Sequence, residues 1–443
     1  MIEEVNREKW IGIYSFLIMD LVQIILVSLI TMDESTPLVV GLDPSRSSPL
    51  VSFGLFFTIA LTQLFLLYMV AGRILRQEDL KMLYPSSDQR KEWEGRYSRN
   101  EIVSWVQELA KQSSVTVDRI YLMKSPLPNA FTFSLPLIGS VVVVHSNTLD
   151  VLNRSEVKAI ITHEIGHIKN RDSIIQLLSR MPSFFIDIIY VYIYLRLGLA
   201  AATAMVADGN PFLAGTRLLV LAGFFILSRV LTLISRLFMQ KASRAAELMS
   251  DYHAASVLGF EVTINALIRL GQRVEAITVL AEEIRWLESL NPERKTPVTN
   301  AEIMAMISDY PLDEIDETNA REVAPYLFLA TRLRHLREVY GVLIEDSQIE
   351  RAVEPAVPEL LEKRKESKTE DELKKTRQTV DWRKADYDDD RRLSEEELAE
   401  LLKILRDNPQ KMMFEREVGI SSLLLDHPDF RRRVLFIADE FGA

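Results

Sequence analysis

The sequence predicts a mainly helical α+β protein with four membrane-spanning helices, a small mixed domain outside the bilayer and a large helical insertion. Three observations predict it. Two uncharged or nearly uncharged apolar runs have membrane length. Two further apolar runs carry a few charges, and the loops between runs alternate in Lys/Arg content. Between the pairs of runs, short strand-like segments broken by Pro and Gly precede a helix with a start signal. At 443 residues the chain is long enough for two or three domains.

Trp10 to Thr31 contains one charge, Asp20, and Leu50 to Ala71 contains none. Each matches the ~20 residues that cross a bilayer as a helix. A signal peptide is the rival reading of the first run. It is disfavoured because the run is long, its start is not cleanly basic and no small-residue cleavage site follows. Pro182 to Ala207 holds Asp187 and Arg196, and Phe212 to Met239 holds Arg217, Arg229 and Arg236. These two are read as membrane helices with polar marks, against a buried hairpin in a soluble core. Arg7 and Lys9 precede the first run, and Arg73, Arg76 and Lys81 follow the second. Lys169, Arg171 and Arg180 precede the third, and Lys241 and Arg244 follow the fourth. The connections 32–49 and 208–216 hold Arg46 alone. The positive-inside rule then predicts a multi-pass cell-membrane protein with both termini and the segment 73–180 in the cytoplasm.

Acidity belongs to the C-terminal part, where residues 261–443 carry 40 Asp/Glu against 28 Lys/Arg. No basic domain exists to neutralise phosphates, so nucleic acid is not an expected partner. The absence of cysteine excludes disulfides, thiolate metal sites and thiol nucleophiles. A metal would rest on histidine and carboxylates.

Residues 77–112 read as polar and helical, with Ser98 and Glu101 as a capping box before IVSWVQELA. Strands are expected at 117–123, 130–134 and 140–145. Asn153 and Glu156 then open a helix expected to run to about Arg180. Inside it stands His163-Glu164-Ile165-Gly166-His167. Residues four apart share a helix face, so both imidazoles can reach one metal, while Glu164 stands one step round and can deprotonate a water. The rival reading is two histidines on a solvated face. A third ligand is required, and Glu247 in SRAAELMSD is the best candidate. Asp251, one turn on, could accept the free ring N–H of a ligand histidine. An amphipathic helix with exposed acids is the alternative for that pair. His145, His253 and His335 have no expected role beyond packing or surface.

PNAF (128–131), VVVVHSNTLDVL (141–152), THEIGHIKNRD (162–172), SRAAELMSDYHAAS (243–256) and DHPDFRRRV (426–434) occur in this order. In these stretches the sequence resembles the membrane-embedded zinc metalloproteases of the HtpX type, related to the membrane protease that trims prenylated CaaX proteins. The resemblance implies a cytoplasmic zincin-like catalytic domain closed over by membrane helices, with one zinc ion on His163, His167 and Glu247 and with Glu164 as general base. It further implies that His427 stabilises the oxyanion and that Arg433 orders the cleft. Asn129 and Ala130 would form the edge against which an extended polypeptide substrate pairs.

The expected domain plan is residues 1–76 for the first two membrane helices, 77–181 for the first part of the catalytic domain, and 182–240 for the second two helices. Residues 241–264 follow as the third-ligand helix, 265–415 as an acidic helical insertion, and 416–443 as a C-terminal catalytic segment. The expected function is a zinc endopeptidase that cuts membrane or misfolded proteins at the cytoplasmic face, in contact with lipid. The alternatives are maturation of a defined substrate such as a prenylated C-terminus, or an inactive scaffold. The sequence carries no signal for oligomeric state.

Within the insertion, Asp386, Asp388, Asp390, Arg392, Ser394 and Glu397 follow the register of a calcium-binding EF-hand loop, with Arg391 where glycine normally stands. The alternative is a solvated loop in which Ser394 and Glu397 form a capping box. Both readings start a helix at Ser394.

Overall fold

A computed structural model describes residues 1–29, 48–77, 79–85, 96–173, 175, 184–290, 299, 303, 307, 315, 319–341, 343–367, 378–388, 390–417 and 428–442. Its elements in chain order begin with α1 (Ile2–Leu29), α2 (Pro49–Ile74), β1 (Leu80–Tyr84) and α3 (Arg99–Gln112). Next come β2 (Arg119–Met123), β3 (Ala130–Leu135), β4 (Gly139–His145), α4 (Ser146–Val151) and α5 (Arg154–Lys169). α6 (Phe184–Val206), α7 (Pro211–Leu258), α8 (Phe260–Ser289) and α9 (Ala320–Tyr340) follow. The chain closes with α10 (Asp346–Val353), α11 (Ala356–Ser367), α12 (Glu395–Asp407) and α13 (Phe430–Phe441). Two compact units emerge.

The first unit contains α1, α2, α6 and α7 as far as Met249. Four of the described helices are long and apolar enough to cross a membrane, and they are the four expected from the apolar runs. Leu17, Ile18, Leu61, Phe65, Leu195, Leu219 and Ile226 stay exposed, as lipid-facing side chains would. Ile24, Val27, Ile59, Tyr190, Ile193, Leu197 and Phe224 pack between the helices. Two pairs of polar side chains meet inside this bundle. Gln63 donates to Asp20 at 3.2 Å, and the Tyr190 hydroxyl donates to Gln23 at 3.0 Å. Polar groups at such depth need partners, because lipid offers none. Arg229 lies exposed with its guanidinium 5.3 Å from the Phe225 ring on its own helix, the snorkelling arrangement of a long cation.

α7 has 48 residues. At 1.5 Å per residue it is about 70 Å long, more than twice a ~30 Å bilayer core. The fourth apolar run and the 243–256 motif are therefore one unbroken helix. No Gly or Pro interrupts the sequence from Phe224 to Leu258, and the break comes at Gly259, where φ is 96°.

The second unit is built on a four-stranded sheet in the order β1-β2-β4-β3. β2 and β4 run parallel, while β1 and β3 flank them antiparallel. β1 falls where the sequence read as helical. LKMLY has little burial of its own, and pairing with β2 plus two hydrogen bonds from Arg99 to the Leu83 carbonyl hold it extended. α3 begins at the expected capping box and buries Ile102, Trp105, Val106 and Leu109 on one face. With Ile120, Leu122, Val142, Val144, Leu149, Ile161 and Ile165 these residues form the core between the sheet and α5. α5 stops at Lys169 rather than near Arg180. Asn170 caps it and Arg171 turns left-handed with φ 57°.

Candidate metal centre

α5 starts where Asn153 accepts from the Glu156 amide and the Glu156 carboxylate accepts from the Asn153 amide. This closed start and an apolar face of Val157, Ile160, Ile161 and Ile165 fix the helix against the sheet. His163 and Glu164 follow on this helix and His167 one turn later, all buried, with the two imidazole rings perpendicular and their centroids 4.9 Å apart.

Both histidines are oriented from α7. Asp251, fully buried, has Oδ1 2.8 Å from His163 Nδ1. Ser250 Oγ lies 3.0 Å from His167 Nδ1. An oxygen thus lies beside each Nδ1, hydrogen-bonded at His167 and at ion-pair distance at His163, and each ring has its Nε2 on the other side. Arg433 on α13 donates to both oxygens of Asp251, from Nε at 2.7 Å and from Nη2 at 2.6 Å. A planar fork on a carboxylate is the strongest geometry available to such a pair. The three side chains thus form a line from Arg433 through Asp251 to His163. Glu247 stands one turn before Asp251 on the same helix. The ligand atoms offered by His163, His167 and Glu247 lie within 4.8 Å of one another. Two imidazoles and one carboxylate at that spacing suit a tetrahedral zinc ion with one position left open.

Ser250 and Gly166 were not singled out by sequence reasoning. A Cβ at Gly166 would stand 3.1 Å from the Ser250 Cα, so glycine permits the close approach that brings Ser250 to His167. The signal for Gly166 lay in the motif itself, whereas nothing in the spacing marked Ser250.

α13 is seated by acids that the sequence reading also passed over. The Glu275 carboxylate on α8 accepts from the Glu415 and Arg416 amides, and a Cβ at Gly271 would meet the Phe414 ring at 2.3 Å. Glu417 accepts from the Phe430 amide at 2.9 Å and the Phe414 amide at 3.4 Å. Burial pushes the Glu417 carboxyl up to about 7, against the pull of the Phe430 N–H and the Arg416 cation.

Asn129 is exposed and Ala130 opens β3, at the edge of the sheet. The Asn129 carbonyl accepts from the His145 amide and the Thr148 hydroxyl, which fixes the start of that edge. His427 lies outside the described residues. His253 is buried against Ser113, His145 reaches the Leu127 carbonyl, and His335 is exposed.

The 386–397 loop resolves in favour of the cap. Asp386, Asp388 and Asp390 cluster, and Arg391 adopts φ 64°. Glu397, expected as the two-oxygen ligand, is committed elsewhere. Its Oε1 accepts from the Tyr387 amide, and its Oε2 accepts from the Ser394 amide and hydroxyl in a complete capping box. Arg392 is turned to Glu156 at the start of α5, and the Asn265 side chain clamps both backbone groups of Leu393. The loop braces α5 against α8, and calcium binding is not supported.

Membrane-length helices and a buried His-His-Glu set, with its histidines on the HExxH helix and its glutamate on α7, define the class: a membrane chain with the metal-holding arrangement of HExxH peptidases. Residues 97–339, more than half of the chain, match Peptidase family M48, and the chain belongs to that family. The matched span runs from the residue before the α3 cap into the last turn of α9. The chain is 31% identical to the Protease HtpX homolog of Aeropyrum pernix over 188 residues, covering 42% of this chain and 56% of that one. It is 30% identical to the one of Sulfurihydrogenibium sp. over 166 residues, covering 37% and 53%. It is 26% identical to the one of Pyrococcus furiosus over 226 residues, covering 49% and 72%. The chain spans about half the length of the first of these curated relatives. No solved structure matches it.

Proposed function

We propose that the chain is an integral-membrane zinc endopeptidase that cuts membrane or misfolded polypeptides at the cytoplasmic face. The observation that carries this is the grouping of His163, His167 and Glu247 within reach of one ion, with Asp251 and Ser250 on the far sides of the two imidazoles. His163 Nε2, His167 Nε2 and a Glu247 oxygen would hold the zinc. Zinc held there would supply a Lewis acid for a scissile carbonyl and lower the pKa of a bound water. Glu164, adjacent to His163 but not needed as a ligand, would take a proton from the attacking water and pass it to the departing amine. Arg433 keeps Asp251 ionised and in place, and Asp251 in turn keeps His163 in the tautomer that ligates. The open edge of β3, beginning at Asn129 and Ala130, pairs with an extended substrate backbone. The oxyanion role of His427 remains part of the proposal on the strength of the resemblance. The Lys/Arg distribution supports a cytoplasmic site and termini.

The test is cleavage of an unstructured polypeptide such as casein by full-length protein in detergent, beside the Glu164→Gln variant. The variant is expected to keep its zinc and to lose at least about a hundredfold in rate. Equal rates for both proteins would contradict an enzymatic role and favour a scaffold.

A further inference from the structure

Lys9 and Asp172 form an ion pair at 2.9 Å, with exposures of 1% and 0%. The proposed chemistry uses neither residue. Removing both charges from water is costly, and an apolar pair of similar volume is often as stable. What such a pair supplies that an apolar contact does not is a fixed direction.

One turn along α1, Gly12 meets α7. A Cβ on Gly12 would stand 2.9 Å from the Phe238 carbonyl oxygen and 3.0 Å from the Ala242 Cβ, so the helices touch at their backbones. Ile13 and Phe16 continue the contact with Ile175, Met239, Ala242 and Ala246. The start of α1 therefore grips two stretches at once. One leaves the HExxH helix, with Asp172 five residues after His167. The other leads to the third ligand, with Ala242 five residues before Glu247.

We infer that α1 is a positioning element for the metal centre. Lys9 holds the segment that follows α5 through Asp172, Gly12 holds α7 through Ala242, and the two contacts together fix the stretch of α7 that carries Glu247. This rests on the zinc reading above. It makes the first membrane helix part of the machinery that holds the metal, and not only an anchor.

The experiment uses full-length zinc-loaded protein in detergent and follows zinc release into an excess of a chromogenic chelator, well below the melting temperature. Lys9→Met and Asp172→Asn are expected to release zinc at least tenfold faster than wild type. The double variant Lys9→Met/Asp172→Leu leaves no unpaired buried charge, so it folds with a melting temperature near that of wild type, yet it also releases zinc faster. Tyr190→Phe removes the buried hydrogen bond to Gln23 on the same helix, far along from the ligands. It is expected to lower the melting temperature without changing zinc release. Wild-type release rates in the double variant, or acceleration by Tyr190→Phe, would overturn the inference by reducing the pair to general stability. A wild-type protein that takes up no zinc at all overturns the metal reading itself.

Discussion

Arg433 presents two nitrogens to the two oxygens of Asp251, and a lysine in its place can present only one. Arg433→Lys should therefore loosen Asp251, and through it His163. A loss of about 10–100-fold in zinc affinity is expected by chelator competition, in the range found for partners of ligand histidines. Unchanged affinity would show that Asp251 needs no support. At this scale the sequence was informative where chemistry depends on local spacing. His163 and His167 are four apart in one helix, and Glu247 and Asp251 are four apart in another. Ser250 was not legible, because its role arises from where α7 crosses α5 at Gly166. Glu397 shows the same limit. Its spacing fits a calcium loop and a helix cap equally, and only the direction of its oxygens decides.

Among the elements, α13 depends on a buried acid. Glu417 ties the Phe430 amide at the start of α13, and burial raises its carboxyl from the ordinary 4.5 to about 7. Glu275 beneath it is also raised by burial. A carboxyl raised in the folded state stabilises the fold below its unfolded pKa, and that stability is lost as pH rises through the folded value. The window is about pH 4.5 to 7, and the Glu417 contribution across it is on the order of 3 kcal/mol. Melting temperature should therefore fall over this range in wild type, and should fall less steeply in Glu417→Gln. Identical pH profiles would contradict the assignment. Elements with local signals were legible in the sequence: the capping boxes of α3, α5 and α12, and the strands bounded by Pro and Gly. β1 was not, because its extended form comes from pairing with β2. The continuity of α7 was obscured by its change from an apolar to a polar surface, although no residue breaks it.

For the whole molecule, the membrane helices were legible because lipid demands long apolar runs. Their orientation is a further expectation, and the chain contains no cysteine to confuse its test. Ser104→Cys on the exposed side of α3 should react with a membrane-impermeant maleimide only in inside-out vesicles. Asp208→Cys, in the short connection between α6 and α7, should react in intact cells. The reverse pattern would place the metal centre outside. The assignment of one zinc ion to His163, His167 and Glu247 is a proposal. It is tested most directly by zinc content and X-ray absorption of the purified full-length protein and of Glu247→Ala. One zinc per wild-type chain is expected, with two imidazole nitrogens and oxygen ligands at about 2.0–2.2 Å, and loss of the metal in the variant. Full zinc occupancy in Glu247→Ala, or a wild-type spectrum with fewer than two imidazoles, would contradict it.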